Sequence, residues 1–371
     1  MLVYSLLAGL LFGLYFSLIG LGLNLVFGVM RIVNLAHGDF LMLGAFLAFW
    51  LFTLISLNPI PAIFIVFLVF VIVGLPLYYL LVPRLLRAKD PEMLSFILFF
   101  GLSQVIEALA TIAFGTSERS IPGGELGRAI VAVASLLAGH HVENGPIDIF
   151  GQTFPAAWVA SGIASGIAVL LVYVYLYRTR LGYLTRAVMV HREEAIATGI
   201  NVHRVSAIAF GIGLGLASVA GVFAPFMLGS ITPAMGVEVT VTSFTVIVIG
   251  SLGKPLGTLL GGIIYGVSYM FMQSYYSSWA NLLPYVLLVA ILLVRPSGLL
   301  GRQVLQVVEV TRPARRDLHG AEVPEAAVAD RHGVQFEHQG FAIEFVIEVL
   351  GGLCSHRMAW PRWRFCRSLT T

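Results

Sequence analysis

One feature limits what this chain can become more than any other: apolar runs close to 20 residues long recur along it, separated by short polar breaks. They fall at about 2–29, 38–57, 61–83, 94–114, 156–177, 205–228, 257–275 and 282–294. Coiled as a helix at ~1.5 Å per residue, such a run matches the ~30 Å hydrocarbon core of a bilayer, whereas a barrel strand needs only ~10 alternating residues. A shorter run, 240–252, reads as a broken or re-entrant segment, tolerated only where protein or a watery cavity covers the open backbone. The expected fold is an all-α polytopic transmembrane helical bundle of eight or nine membrane segments. Composition agrees. Charged residues make up 11% of the chain, against about 25% in soluble domains.

The charges that remain are informative. Of the 22 Lys and Arg and 19 Asp and Glu, 17 lie in residues 302–371. This predicts a membrane domain over 1–302 and an atypical polar tail over 303–371. The tail carries one short apolar piece, GFAIEFVIEVLGGL at 340–353, with Glu344 and Glu348 inside it. It is too short and too charged to span, and the tail is expected to be disordered or non-native. The formal charge of +3 is too small to indicate nucleic acid. Met1 leads straight into apolar sequence with no basic stretch before it, so the first run reads as a retained helix.

Lys and Arg in alternate short loops set the orientation. One set of loops holds Arg31, Arg84, Arg87, Lys89, Arg178, Arg180, Arg186, Arg192, Arg204, Lys254 and Arg295, and the opposite set only Arg119 and Arg128. The first set is expected to be cytoplasmic, with the N-terminus outside and the C-terminus cytoplasmic. Loop 178–204 is then inside and loop 115–155 outside. This parity requires 240–252 to count as a crossing.

Four stretches hold groups that chemistry can use. In 20–45, Asn24, Arg31, Asn34, His37 and Asp39 stand where an apolar run pauses and resumes. Polar groups at membrane depth face a bundle interior or a watery cavity. The alternative is an ordinary cytoplasmic turn in which Asn34 or Asp39 satisfies the next helix's N-terminus. No second ligand stands at helical spacing from His37, against a metal site. Glu107, with Gln104 and Ser103 nearby, lies deep in the 94–114 run. It either meets a substrate amine or is a packing residue. The glycine-rich 250–266, GSLGKPLGTLLGGIIYG, is no phosphate loop, because Pro255 follows Lys254 where Ser or Thr is required. Its glycines suit close helix packing, and it faintly echoes GDFLMLGAF at 38–46, a hint of duplicated architecture. Last, Glu193 and Glu194 open a short helix-forming stretch ended by Gly199. Composition alone fits a basic loop on anionic lipid as well as a docking element.

Residues 23–46, LNLVFGVMRIVNLAHGDFLMLGAF, resemble the N-terminal signature of permeases of branched-chain amino acid ABC importers. RAVMVHREEAIATGINVHRVSAIAFGIGLGLASVAGV (186–222), the segment 245–266 and LLVRPSGLLGR (292–302) are similar to that family's later segments, in the same order. The resemblance implies a transport subunit of the bacterial or archaeal inner membrane, with no cofactor and no catalysis of its own. It implies two separate ABC ATPase subunits, a second homologous permease and an extracytoplasmic substrate-binding protein as partners. It places Glu193, Glu194, Ala195 and Gly199 in the element that docks on an ATPase. Asn34, His37, Asp39 and Glu107 are then expected along the translocation path. Members usually stop soon after a segment like RPSGLLGR, and this chain continues. Two alternatives within transport are a permease for urea or short amides and an ion-coupled secondary transporter. An intramembrane hydrolase lacks support, since neither HExxH nor GxSxG occurs.

Overall fold

The computed structural model describes residues 1–57, 59–121, 147–295 and 297–301. The expectations for most of the 115–155 loop and for the 303–371 tail lie outside the described residues. The chain divides into two units, Met1–Ile291 with Ser297–Arg302, and Leu292–Pro296 with Gln303–Thr371. The membrane helices lie in the first; of the second, only the end of the last helix and Arg295 are described.

The elements in order are α1 (Leu2–Met30), α2 (His37–Ile55), α3 (Pro59–Leu85), α4 (Pro91–Phe114), a hairpin β1 (Ile147–Ile149) and β2 (Gln152–Phe154), and α5 (Ala156–Arg178). There follow α6 (Arg180–Val190), α7 (Arg192–Ala197), α8 (Val202–Met227), α9 (Met235–Gly250), α10 (Pro255–Tyr275), a 3₁₀ turn (Ser277–Leu282) and α11 (Leu283–Val294). Among the described residues, eight helical stretches are long and apolar enough to cross a membrane, and each of the eight longer predicted runs falls on one of them. Pro91 and Pro255 stand at helix starts, where the missing N–H is harmless.

The centre is a buried pair, α1 and α8. Tyr15, Leu18, Ile19, Phe210, Leu214 and Ala217 are all at most 1% exposed. Close backbone approach makes this possible. Gly9 and Gly13 on α1 face Gly262 and Gly266 on α10, each pair four residues apart, and a Cβ at Gly266 would lie 2.3 Å from Gly13 N. Such small-xxx-small crossings replace the hydrophobic drive that lipid removes. The packing role expected for 250–266 is seen here and again where Gly250 meets Gly257. By contrast α4 turns Ile97, Phe100, Leu109 and Ile112 outward, an apolar exterior that suits lipid.

One end of the bundle gathers cations. Arg192 Nη1 donates to Val29 O at 3.5 Å, Gly253 lies against Gly28, and Lys254 Nζ donates to Leu300 O at 2.6 Å. Arg119 sits at the other end, its guanidinium 5.4 Å from the Phe49 ring and its backbone bridged to Ile231. Between Ile231, bridged to Arg119, and Lys254, bonded to Asn24, the chain therefore passes from the Arg119 end to the Arg31 end, and α9 is the helical part of that passage. It starts at Met235, five residues before the predicted 240.

Asn24 fastens the cationic end. Its Nδ2 donates to Lys254 O at 3.1 Å and to Thr258 Oγ1 at 2.5 Å, and its Oδ1 accepts from Gly253 N at 2.6 Å. Interhelical hydrogen bonds in membranes average ~0.6 kcal/mol each, so Asn24→Leu is expected to destabilise by about 1–2 kcal/mol. A lowered thermal unfolding midpoint in detergent checks this.

Candidate translocation and coupling sites

The stretch from Arg31 to His37 is not a turn at the end of α1. Arg31 takes a left-handed conformation, φ 57°, and reverses the chain. Residues 32–36 then run back alongside α1, with Ile32, Val33, Asn34 and Ala36 buried. His37 Nε2 is 3.1 Å from Ile19 O, and Ile19 lies eleven residues before Met30, about 16 Å up the helix at ~1.5 Å per residue. Hence α2 starts deep in the bundle. The expectation of an interrupted segment holds, but the break is longer and deeper than a cytoplasmic turn.

α9 mirrors it. From the end of α8 the chain passes through residues 228–234 and turns back, so α9 starts at the depth where α2 starts. The two N-termini meet: Gly38 N donates to Thr240 Oγ1 at 2.9 Å, and Thr240 Oγ1 donates to Leu35 O at 3.0 Å. A Cβ at Gly38 would lie 1.9 Å from Gly236 O. Two half-helices of opposite direction thus abut inside the bundle, the arrangement known from inverted-repeat transporters.

Asn34, His37 and Asp39 are all fully buried at this junction. Asn34 Oδ1 accepts from Ala36 N at 3.1 Å, closing a local turn before α2. Asp39, in the first turn of α2, presses against the Gly236 backbone, and across the α2–α4 seam it interacts with Ser103 and Glu107. Neither carboxylate oxygen has a well-formed hydrogen bond to another protein group. Asp39 and Glu107, 68 positions apart along the chain, thus lie within electrostatic reach of each other across this seam. Gln104 points outward.

The 178–204 loop folds as two short helices at the cationic end. Thr179 Oγ1 caps α6 by accepting from Gly182 N at 3.0 Å, and Asn201 Oδ1 caps α8 by accepting from Arg204 N at 3.1 Å. Between them α7 exposes Glu193, Glu194 and Ile196 and buries Ala195. It ends in a paired motif: Ile200 N donates to Ala195 O and Gly199 N to Ile196 O, both at 3.0 Å, with Gly199 at φ +83°. This is the Schellman closure that glycine favours. Met189 packs on Gly28, and Arg192 bonds Val29 O, so the α6–α7 corner touches the end of α1 immediately before the Arg31 reversal.

One polar group was not singled out in the sequence. Glu238, in the first turn of α9, lines a cleft between α1, α9, α10 and the 3₁₀ turn. The apolar run was read as beginning at 240, which left Glu238 in a flanking loop. Its i,i+4 relation to Thr242 was the available signal.

Comparison with known proteins points the same way. The sequence profile of the branched-chain amino acid transport system permease component matches residues 5–292. The chain is 27% identical over 302 residues to the high-affinity branched-chain amino acid transport system permease protein BraD of Pseudomonas aeruginosa, covering 79% of this chain and 94% of the relative. It is 26% identical over 301 residues to the corresponding LivH of Escherichia coli K12, with the same coverage. A probable branched-chain amino acid transport permease protein LivH of Methanocaldococcus jannaschii is 26% identical over 292 residues, covering 76% of this chain and 88% of the relative. No solved structure matches.

Proposed function

Because this chain belongs to the branched-chain amino acid transport permease family, we propose that it forms half of the membrane path of an ATP-driven importer for leucine, isoleucine and valine. It works in the inner membrane beside a second permease of the same kind, two ABC ATPase subunits and an extracytoplasmic binding protein. The observation that carries this is the match to the permease family over residues 5–292, nearly the whole membrane domain. We assign residues 1–302 to this permease part and 303–371 to a tail of more charged composition. ATP is hydrolysed on the partners.

By the positive-inside rule the Arg31–Lys254 end is cytoplasmic, with the N-terminus outside and the chain beyond α11 inside. That puts α7 where an ATPase can reach it. Glu193 and Glu194 supply charge to the contact, Ala195 anchors the helix to the bundle, and Gly199 sets the angle at which it leaves. Movement of α7 reaches the path through the flanking helices α5 and α8. The Arg192–Val29 bond and the Met189–Gly28 contact give a shorter route, into the Arg31 reversal and the re-entrant segment. Asn34 and His37 hold that segment in place, and Asp39 with Glu107 offers polar groups to the substrate when the junction opens.

The test is uptake of labelled leucine into proteoliposomes holding the assembled importer. Uptake that requires internal ATP and the binding protein is the expected result. Uptake by this chain without any ATPase, driven by an ion gradient, would overturn it.

A further inference from the structure

Glu238 shares a cleft with Ile19, which lies about 16 Å from the end of α1, and the Glu238 side chain is exposed there. On α9 it points away from the junction. Gly236 and Thr240 face α2, while Glu238 and Thr242, four residues apart, face the cleft. Among the described residues it forms no ion pair. An ionisable side chain at this depth without a cation partner is a functional-site candidate.

Its surroundings are chemically specific. Tyr265, Tyr269 and Tyr285 line the same cleft as Glu238. Tyr265 and Tyr269 stack at 6.3 Å, and Phe16 meets them edge-on at 4.7 and 5.5 Å. The cleft holds about 100 Å³, several times the ~10–15 Å³ that one water needs. Asn281 borders it on the side of the 3₁₀ turn. A carboxylate with aromatic faces around it recognises one class of ligand best, a cationic nitrogen, by charge and by cation–π attraction together.

We infer that the Glu238 cleft receives the ammonium group of the incoming amino acid, ahead of its passage through the α2–α9 junction. This rests on the importer reading above. The helix that carries Glu238 also carries Gly236 and Thr240, so a ligand held in the cleft bears on the half-helix that closes the path. A lipid ammonium is the other source of the same chemistry.

The test compares variants in the assembled importer, in vesicles of phosphatidylglycerol alone and in vesicles with added phosphatidylethanolamine. Leucine is the probe, and membrane content and thermal midpoint are measured beside uptake. Glu238→Gln, which keeps the shape and removes the charge, is expected to lower uptake at least about 10-fold in both lipids. Glu238→Asp is expected to stay within about 3-fold of the parent, and Tyr269→Leu to lose about 5-fold. Unchanged uptake in Glu238→Gln, or equal loss in Glu238→Gln and Glu238→Asp at normal protein content, overturns the ammonium site while leaving the importer intact. So does a defect seen only with phosphatidylethanolamine, which would assign the cleft to lipid. Absence of ATP-dependent uptake by the parent itself would remove both readings.

Discussion

Gly199→Pro is expected to lower ATP-coupled leucine uptake more than about 10-fold while leaving the permease in the membrane. Gly199 sits at φ +83° and its N–H closes the end of α7 on Ile196 O. Proline fixes φ near −65° and has no N–H, so the closure cannot form. A left-handed cap of this kind is worth about 1 kcal/mol to the helix end, too little to unfold the bundle, and no atom lies within 4 Å of a Cβ at this position. What changes is the direction in which the chain leaves α7 toward the Asn201 cap of α8. We expect uptake and substrate-stimulated ATP hydrolysis to separate, with uptake falling more than about 10-fold. Gly199→Asn, which tolerates the left-handed region, should keep most of the activity. Adding Glu194→Arg to Gly199→Pro should leave no measurable coupled uptake. Normal uptake in that double variant would remove α7 from the coupling role.

The largest structural effect is expected at Gly38. Even alanine places a Cβ 1.9 Å from Gly236 O, 2.6 Å from Thr240 Oγ1 and 2.8 Å from Thr240 N. Two of these three atoms are backbone, so no rotamer change relieves the contact and the two half-helices must separate. That also breaks the Gly38 N to Thr240 Oγ1 bond. Overpacking of this sort costs about 3 kcal/mol, the upper end of its usual range. Gly101 on α4 is the natural control, because a Cβ there meets nothing within 4 Å. Gly38→Ala should lower the thermal midpoint sharply and stop uptake. Gly101→Ala should change neither, and gain slightly from alanine's helix preference. Equal behaviour of the two variants would mean that the junction is not tightly packed.

The contrast between these positions shows what the sequence carries. The eight long helices were legible because length and apolarity are local properties, and cations at the loops recorded the alternation of ends. The short helix α7 was legible in part: acidic residues, a short helix-forming run and a closing glycine stand together in the chain. The re-entry at 31–36 was not, because the hydrogen bond that holds it at depth comes from far along the chain. Leu35 O takes its hydrogen bond from Thr240, a separation of 205 residues, and nothing within the window around Leu35 announces that partner. For the same reason Asp39 and Glu107 were found one at a time and brought together only by packing. Glu238 lies in MGVEV, which carries a glycine and a charge. Those are marks of a loop in the sequence, and in the structure they stand in the first turn of α9, with Val237 and Glu238 exposed.

The Leu35–Thr240 bond bears on the order in which the protein is made. When residues 31–36 leave the ribosome, α8 and α9 do not yet exist, and an extended segment cannot rest in hydrocarbon with its backbone groups unpaired. The nascent α1–α2 pair must therefore hold this stretch at the membrane surface or against the insertion machinery. It moves to its final depth only after Thr240 has been synthesised. Insertion and maturation are then two separate events for this chain, and ribosome-bound intermediates cut short before residue 240 should carry Arg31–Ala36 in a protease-accessible state.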